Sequence, residues 1–296
     1  MNSPSVTQVI VGYDATAPAS AALDAAARLL PHAHAWITHL WTPLLADDNL
    51  RRRLRTAEPD VDAFLPALER ESEWRAARTA ETGAVLARAH GWEAETLIHR
   101  VMGGEGTELA QLAEKMQPDL VLLGTRSLSG IRAVLGSVSD MVVHYSPKPV
   151  LVVPHPLLST EHHALADGPV IIGWDGSAGA RTALHTARQL FPDRRLLFAT
   201  VVDNGPTAPA TAIEAPPHTD AGQPTWLRVP PGHGTPAQAI ANGLITCARY
   251  HNAAVLLLGS RGRTATTEIL LGSTVMATLH HAHRPVLVVP QSHGRS

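Results

Sequence analysis

Short apolar runs alternate with longer amphipathic stretches along the whole chain. The runs are rich in Val, Ile and Leu, as expected for strands that are covered on both faces of a sheet. In the first half of the chain they are VIVGYD, AWITHLW, ETLIHRV, DLVLLG and PVLVVP. Stretches with helical periodicity lie between them, and this β-α alternation predicts a doubly wound parallel sheet.

Three of these apolar runs return later in the same order, which indicates a tandem duplication. VIVGYD at residues 9–14 returns as VIIGWD at 170–175, and LVLLG returns as VLLLG at 255–259. PVLVVP at residues 149–154 is repeated without change at 285–290. An ordered series that ends in an identical hexapeptide predicts two copies of one fold.

The duplication predicts two domains and a short connection. We expect a first domain over residues 1–157, a linker over 158–168 and a second domain over 169–296. Each domain, called here the first and the second copy, is expected to hold five parallel strands with helices on both faces. This is a Rossmann-like α/β fold.

The two copies differ after their second strand. The first copy predicts a long helix over residues 67–91, closed by Gly91. The matching segment of the shorter second copy, residues 203–224, is rich in Pro, Gly and Ala and predicts a surface loop in place of that helix. In the second copy, Ser177 and Thr235 are typical residues for helix starts.

Composition and charge narrow the class of protein. The 296 residues are 45% hydrophobic, which is enough for a substantial core, and 24 basic against 26 acidic residues do not favour nucleic-acid binding. A single cysteine excludes an internal disulfide. We see no secretory signal or membrane-length apolar run and predict a cytoplasmic protein without a membrane partner. The basic residues are nearly all arginine, which is typical of a GC-rich bacterial genome.

A glycine-containing loop follows the fourth strand of the second copy. Gly259-Ser260-Arg261-Gly262 is followed by nine residues and then by Gly272-Ser273, where a helix is expected to begin. Glycines let a backbone approach a phosphate closely, and the first amides of a helix favour an anion. Because ligands of doubly wound sheets bind beyond the carboxyl ends of the strands, this loop predicts a phosphate site.

That spacing, together with the opening VIVGYD and VIIGWD runs and the final PVLVV strand, resembles the ATP-binding motif of the universal stress protein family. The resemblance covers almost the whole chain as two copies, which is typical of tandem-domain members and common in actinobacteria. It implies a fold like that of the adenine-nucleotide alpha hydrolases, ATP with Mg²⁺ as ligands, and a nucleotide-dependent role in regulating the stress response.

The resemblance also implies nucleotide-binding positions in both copies, with an aspartate beside the adenosine, a strand-two residue meeting adenine through its backbone, and the later residues along the ribose and phosphates. In the second copy these positions are Gly173, Asp175, Val201, Leu258, Gly259, Arg261, Gly262, Gly272, Ser273, Thr274 and Val275. In the first copy they are Asp14, Leu40, Gly124, Ser127, Gly136, Ser137, Val138 and Ser139.

Each copy departs from the family pattern at one place. The first copy has Ser127 where the second glycine is expected, in a loop that is one residue shorter. The second copy has Val275 where the family carries a hydroxyl, which the first copy keeps as Ser139. A side chain at a position that needs positive φ is strained, and a lost residue moves the amides of the loop. We therefore expect the second copy to be the principal ATP site.

Several residues have simpler interpretations that stay open. Asp14 and Asp175 could cap the first helix of each copy. The HHAH segment at residues 280–283 is interpreted as a solvated helix end, since no carboxylate or cysteine lies nearby at ligand spacing. Cys247 is interpreted as a packed small residue, and the basic run at residues 51–55 as a solvated segment.

Two hypotheses for function follow. The first is ATP binding without a recognisable catalytic grouping, so that at most slow ATP hydrolysis is expected. The alternative is an interaction or dimerisation module with degenerate nucleotide sites, in which the PVLVVP strands pair within one chain or between two chains of a homodimer. A relative that binds AMP or a cyclic nucleotide is a further alternative.

Overall fold

The computed structural model describes residues 6–43, 61–126, 135–202, 213–217, 224–260 and 271–291. These residues form ten strands, β1 (Thr7–Gly12), β2 (Ala33–Trp41), β3 (Glu93–Arg100), β4 (Leu120–Arg126), β5 (Val150–His155), β6 (Val170–Gly173), β7 (Leu196–Val201), β8 (Thr225–Val229), β9 (Val255–Gly259) and β10 (Val286–Val289). Their helices are α1 (Ala17–Leu29), α2 (Val61–Ala89), α3 (Glu105–Met116), α4 (Ser137–Tyr145), α5 (Ser159–Asp167), α6 (Ala178–Leu190), α7 (Pro236–Tyr250) and α8 (Ser273–His281). In the part of the chain that is described, no helix has the length and apolar character needed to cross a membrane.

The ten strands form one sheet in the order β3-β2-β1-β4-β5-β10-β9-β6-β7-β8. All neighbours within each half are parallel, so the prediction of two parallel five-stranded, doubly wound sheets is confirmed. The halves meet edge to edge through β5 and β10, which are antiparallel. Two open sheets thus become a single sheet.

The joint between the halves is made by the repeated hexapeptide pairing with its own copy. Leu151 lies opposite Leu287, and on either side Val152 faces Val286 and Val150 faces Val288. Both leucines are fully buried. The pairing satisfies the backbone groups of two apolar edge strands, which would otherwise be open to pairing with other chains.

Each face of the sheet carries one hydrophobic core that runs across both halves. Helices α1, α2, α5 and α6 cover one face, and Leu151 and Leu287 point into that core. Helices α3, α4, α7 and α8 cover the other face, where Val150 and Val286 belong to the second core. Because successive strand residues point to opposite faces, the register of β5 with β10 decides which residues enter which core.

The first copy covers its sheet with the long helix α2. Gly83 of α2 lies so close to the sheet that an added Cβ would come within 2.7 Å of Ile37 and 2.8 Å of Tyr13. The helix runs over Val61–Ala89, so the predicted start at residue 67 is wrong. Pro66 removes one intrahelical hydrogen bond, but the continuing helix tolerates that loss near its amino end. Gly91 follows the helix with a φ of +88°, as expected for a terminating glycine.

The second copy fills the same space with larger aromatic side chains and a short segment. Trp174 and Phe198 occupy the positions of Tyr13 and Ile37, and their rings meet edge to face with centroids 5.4 Å apart. The Trp174 indole N–H donates to the Glu214 carbonyl at 2.7 Å. Residues 213–217 are not helical, and residues 203–212 and 218–223 of the predicted loop lie outside the described residues.

Two predicted helix starts in the second copy are confirmed. The Ser177 hydroxyl accepts a hydrogen bond from the Ala180 amide at the start of α6. Thr235 begins α7, where its side chain accepts from the Gln238 amide and the Gln238 side chain accepts from the Thr235 amide in a capping box. Such caps satisfy amides that have no partner within the helix.

The predicted linker region contains a packed helix. Leu165 of α5 is fully buried in the core that α1 and α6 share. Arg194, which precedes β7, donates to the Leu165 carbonyl at 2.6 Å and to the Gly168 carbonyl at 3.1 Å. It also donates to the Arg28 carbonyl of α1 at 3.2 Å. One guanidinium therefore connects the second copy, the linker helix and the first copy.

A second contact fixes α5 to the first copy. The His162 Nε2–H donates to the Asp24 carboxylate at 2.8 Å, and Arg28 and His90 lie 3.4 and 3.8 Å from that carboxylate. Burial alone would raise the pKa of Asp24, but the hydrogen bond from His162 and the neighbouring positive groups outweigh it and lower the pKa. The carboxylate form is thus favoured in the folded state.

We expect Arg194→Met to lower the free energy of unfolding by about 2 kcal/mol, since three backbone carbonyls lose a charged donor. Urea denaturation at pH 7 measures this change. The matched control is Arg195→Met, because the neighbouring Arg195 side chain is exposed. Equal losses for both variants would contradict the bridging role of Arg194.

We expect Asp24→Asn to cost about 1 kcal/mol of stability at neutral pH. Because the folded-state pKa lies below the ordinary value of 3.8, this contribution is fully present above that value and is lost as the pH falls through the folded-state pKa. Urea melts at pH 7 and about pH 3 test this, with exposed Asp193→Asn as the control. A cost for Asp24→Asn that does not shrink in acid would contradict the account.

Candidate functional site

A cavity of about 500 Å³ opens at the carboxyl ends of β1, β2 and β4, where the strand order of the first copy reverses. The start of α4 closes one side of it. Its lining includes seven of the eight positions predicted for the first copy, which are Asp14, Leu40, Gly124, Gly136, Ser137, Val138 and Ser139. The eighth, Ser127, lies outside the described residues.

The aspartate at the end of the first strand orients the helix cap and is not itself the cap. Asp14 Oδ1 accepts hydrogen bonds from the Thr16 amide at 3.0 Å and the Thr16 hydroxyl at 2.6 Å. Thr16 then caps α1. Asp175 Oδ1 likewise accepts from the amide of Ser177, the cap of α6. The interpretation of both aspartates as caps is therefore wrong, because the hydroxyl residue two positions later reaches the helix amides.

The turn that carries these aspartates is more strained in the first copy. Ala15 has a φ of +59°, whereas the equivalent residue in the second copy is Gly176, with a φ of +75°. Left-handed backbone costs a residue with a Cβ about 1 kcal/mol, while glycine adopts it freely. The second copy thus forms this turn with less strain.

In both copies a side chain of the second strand donates a hydrogen bond to the backbone carbonyl of the aromatic residue that follows the first strand, but the donor residue differs. In the first copy the His39 Nδ1–H donates to the Tyr13 carbonyl at 2.8 Å. Since a carbonyl only accepts, Nδ1 carries the proton, and in the neutral ring Nε2 is an acceptor. In the second copy the Thr200 hydroxyl donates to the Trp174 carbonyl at 2.7 Å. His39 also lines the cavity, and sequence reasoning missed it although it directly precedes Leu40.

The glycine that ends β4 has a packing role that its sequence motif does not reveal. A Cβ on Gly124 would overlap the Pro18 carbonyl in the first turn of α1. The equivalent Gly259 of β9 lies against the backbone of Gly179 in α6, where an added Cβ would be 2.5 Å from the carbonyl carbon. Both glycines let a helix start pass directly over the sheet.

The glycine that ends the first strand packs in a similar way. A Cβ on Gly173 would come within 2.6 Å of Leu258, and one on Gly12 within 2.7 Å of Leu123. Leu258 is buried. Gly173 and Leu258, two of the predicted contact positions, therefore pack against each other where the first and fourth strands of the second copy end.

The helices that follow the fourth strands begin in the same way in both copies. Gly136 is the N-cap of α4 and Gly272 the N-cap of α8, and no side chain in the described part of the chain caps either helix. The Val275 amide already donates to the Gly272 carbonyl at 2.9 Å. The amides before it in the first turn, those of Ser273 and Thr274, have no partner within the helix and are the ones suited to an anion.

The start of α8 is connected to the end of β9 by the Gly272 amide, which donates to the Ser260 carbonyl at 2.8 Å. Val275 is buried, as is Ser139 at the equivalent place in α4.

Five further predicted positions of the second copy lie at the ends of its strands. At or just beyond the ends of β6, β7 and β9 are Gly173, Asp175, Val201, Leu258 and Gly259. Arg261 and Gly262 lie outside the described residues, so the predicted glycine pair is described only at Gly259.

The charges around the first-copy cavity are mixed. Its lining includes the carboxylates Asp14 and Glu105 and the guanidinium of Arg126. Phosphate groups entering it would meet two like charges, so a cation that accompanies the phosphates fits this wall better than bare phosphate. Among the described residues no cluster of three or more His, Cys, Asp or Glu side chains could hold a metal on its own.

The other residues singled out by the sequence lie elsewhere. His281 and His283 are exposed around the end of α8. Cys247 is buried in α7, and burial raises the pKa of its thiol to about 11, so it stays protonated at neutral pH. The basic run at residues 51–55 lies outside the described residues.

The chain belongs to the universal stress protein family, whose sequence model matches residues 6–154 and 233–290. Universal stress protein Slr1101 of Synechocystis sp. is 46% identical over 50 residues, which are 16% of this chain and 46% of that protein, so the match spans about half of that relative. A universal stress protein from Archaeoglobus fulgidus is 18% identical, with a TM-score of 0.66 over 96% of this chain and 98% of its own. A family protein from Arabidopsis thaliana, solved with AMP bound, is 16% identical over 50% of this chain and 91% of its own, with a TM-score of 0.35.

We expect Gly124→Ala to destabilise the fold by about 3 kcal/mol, because the new methyl group overlaps backbone atoms of α1. Gly136→Ala, where an added Cβ has none of the described residues within 4 Å, should change stability by less than about 0.5 kcal/mol. Thermal and urea melts of the two variants test the difference. Equal stabilities would contradict the close approach of α1 to β4.

Proposed function

We propose that this chain is a cytoplasmic, ATP-binding regulator of the stress response, and that ATP binds with Mg²⁺ at the carboxyl ends of the strands, principally in the second copy. The observation that carries the proposal is the first-copy cavity, which gathers the predicted contact positions around about 500 Å³. That volume is typical of small-molecule sites. The same strand ends and helix start recur in the second copy.

The lining suits an adenine nucleotide. Leu40 and Leu123 near the strand ends and Leu109 of α3 contribute apolar surface, which suits a base. The start of α4, with Gly136 and Ser137, contributes amides, which suit phosphates. The family resemblance supports ATP among the nucleotides.

We assign the principal ATP site to the second copy because its glycine-containing loop departs less from the family motif than that of the first copy. It keeps the glycine spacing over residues 259–262, and Gly176 takes the left-handed turn that strains Ala15 in the first copy. The first copy has Ser127 in place of the second glycine and a loop one residue shorter, but it keeps the later hydroxyl, Ser139. A distorted loop should weaken binding more than one missing hydroxyl, which is worth about 1 kcal/mol.

Mg²⁺ when bound would neutralise phosphate charge beside the aspartate that each copy holds at the end of its first strand. In the second copy this aspartate is Asp175, and in the first copy it is Asp14, beside Glu105. The protein's part is to orient the nucleotide and to offer amides to its phosphates. The proposal is one of binding and includes no catalytic step.

The pairing of β5 with β10 supports a regulator built from one chain. ATP at the start of α8 would stabilise the connection of Gly272 to the end of β9, and β9 pairs with β10. Binding would thus favour one arrangement of the joined halves. In a homodimer formed through the PVLVVP strands, this intramolecular pair would first have to open. The pairing therefore speaks against a homodimer formed through these strands, whereas a module with degenerate sites whose strands pair within one chain is separated from the proposal by the binding experiment below.

Equilibrium dialysis of Mg·ATP against the full-length chain tests the proposal, with a matched pair of variants. Gly272→Asp and Gly136→Asp place a carboxylate at the same position of α8 and α4. Among the residues that the structure describes, the added Cβ meets the Ser260 carbonyl at 3.3 Å in the first case and has no neighbour within 4 Å in the second. We expect about one ATP per chain in the parent and in Gly136→Asp, and a loss of at least about tenfold in affinity in Gly272→Asp.

Circular dichroism of both variants shows that each is folded. Absence of ATP binding at millimolar concentration by the folded parent would refute nucleotide binding. Loss of binding only in Gly136→Asp would refute the assignment to the second copy. AMP and cyclic AMP are dialysed in parallel, and tighter binding of either would replace ATP as the ligand.

A further inference from the structure

A second cavity of about 310 Å³ lies at the amino ends of β9 and β10, away from the strand ends where the second copy's nucleotide loop begins. It is bordered by α5, the last turns of α7 and the segment that joins α8 to β10, and it opens to solvent beside the exposed Arg249, His281 and His283. The polar side chains in its lining are Glu161, Asn242, Thr246, Arg249, His281, His283 and Arg284. All of these residues are described by the structure.

Two oppositely charged side chains in this lining are almost completely buried. The Arg284 and Glu161 side chains are 5% and 8% exposed, and Nη2 of Arg284 lies 3.8 Å from Oε1 of Glu161. Nη1 of Arg284 donates to the Ala253 carbonyl at 2.7 Å. Burial and the nearby Arg249 lower the pKa of Arg284, while Glu161 acts in the opposite direction.

The buried pair leaves one donor and one acceptor unused. Among the described residues, neither Nη2 of Arg284 nor Oε2 of Glu161 has a hydrogen-bond partner. Buried polar atoms of native proteins nearly always have one. A ligand that complements this pair must therefore present an acceptor to the guanidinium and a donor to the carboxylate.

The charges narrow the class of ligand. Arg249 and Arg284 attract a negative group, but Glu161 in the same lining repels a simple anion. A simple cation is attracted by Glu161 but repelled by Arg249 and Arg284. A zwitterion satisfies both, and the remaining wall, which includes Ile245, Ala248 and Leu256, offers apolar surface to an aliphatic side chain.

We propose that this cavity binds a small α-amino acid with an aliphatic side chain, its carboxylate on Arg284 and Arg249 and its ammonium group on Oε2 of Glu161. Glu161 comes from α5, whereas the other ligand-binding residues come from the second copy. The bound amino acid would thus hold the linker helix against the second copy. In the first copy the equivalent of Arg284 is Lys148, which also precedes a PVLVVP strand.

Isothermal titration calorimetry of the full-length chain with L-leucine, up to about 10 mM, tests the proposal. Two further probes each lack one charged group of leucine: 4-methylpentanoate has no amino group, and 3-methylbutylamine has no carboxylate. We expect saturable binding of leucine, and binding of each analogue weaker by at least about tenfold. Inorganic phosphate serves as the probe for a simple anion site.

A variant that keeps the shape of the Glu161 side chain but removes its charge tests the proposed contact with the ammonium group of the ligand. Glu161→Gln should weaken leucine binding by at least about tenfold and strengthen the binding of 4-methylpentanoate, because the carboxylate that repels an anion is removed, whereas exposed Glu95→Gln should alter neither. Arg249→Gln should weaken both ligands. Thermal melts show that each variant is folded.

Three results would overturn the proposal. If the folded parent shows no saturable binding of leucine, the cavity holds water only. If phosphate or 4-methylpentanoate binds as tightly as leucine, the site is one for anions. If leucine binding is unchanged in Glu161→Gln, the carboxylate does not contact the ligand.

Discussion

The antiparallel pairing of β5 with β10 is the interaction on which the rest of this architecture depends. Each strand is the apolar edge of a five-stranded parallel sheet, and the same hexapeptide forms both edges. Centring the pair on Leu151 and Leu287 turns two open sheets into one and gives each face a core that both halves share. The linker helix and Arg194 then reinforce a joint that backbone hydrogen bonds already make.

Much of the fold could be predicted because its signals are local. The apolar runs marked the strands, and Ser177 and Thr235 marked two helix starts through side chains that reach nearby amides. The predicted start of α2, directly after Pro66, was wrong, because a proline near the amino end of a helix removes only one hydrogen bond and the helix continues through it. The packing of residues 213–217 could not be predicted, since their place depends on the distant Trp174.

In the candidate sites, too, features set by local sequence could be predicted, and contacts between distant residues could not. Topology brings Asp14, Leu40 and the start of α4 to one cavity, because these positions all lie at the carboxyl edge of the sheet. The packing role of Gly124 follows from the approach of α1, and the contact of His39 with the Tyr13 carbonyl follows from strand pairing; neither has a sequence signature. The buried pair of Glu161 and Arg284 was also invisible in the sequence, because their separation along the chain is closed only by the docking of α5.

Native-state hydrogen exchange tests most directly whether the two halves form one cooperative unit through β5 and β10. If they do, the amides at the centre of these strands, around Leu151 and Leu287, exchange only through global unfolding, as slowly as the central strands β1 and β6. Their protection is then independent of protein concentration. Fast exchange at Leu151 and Leu287 beside well-protected β1 and β6, or protection that grows with concentration, would contradict an intramolecular joint.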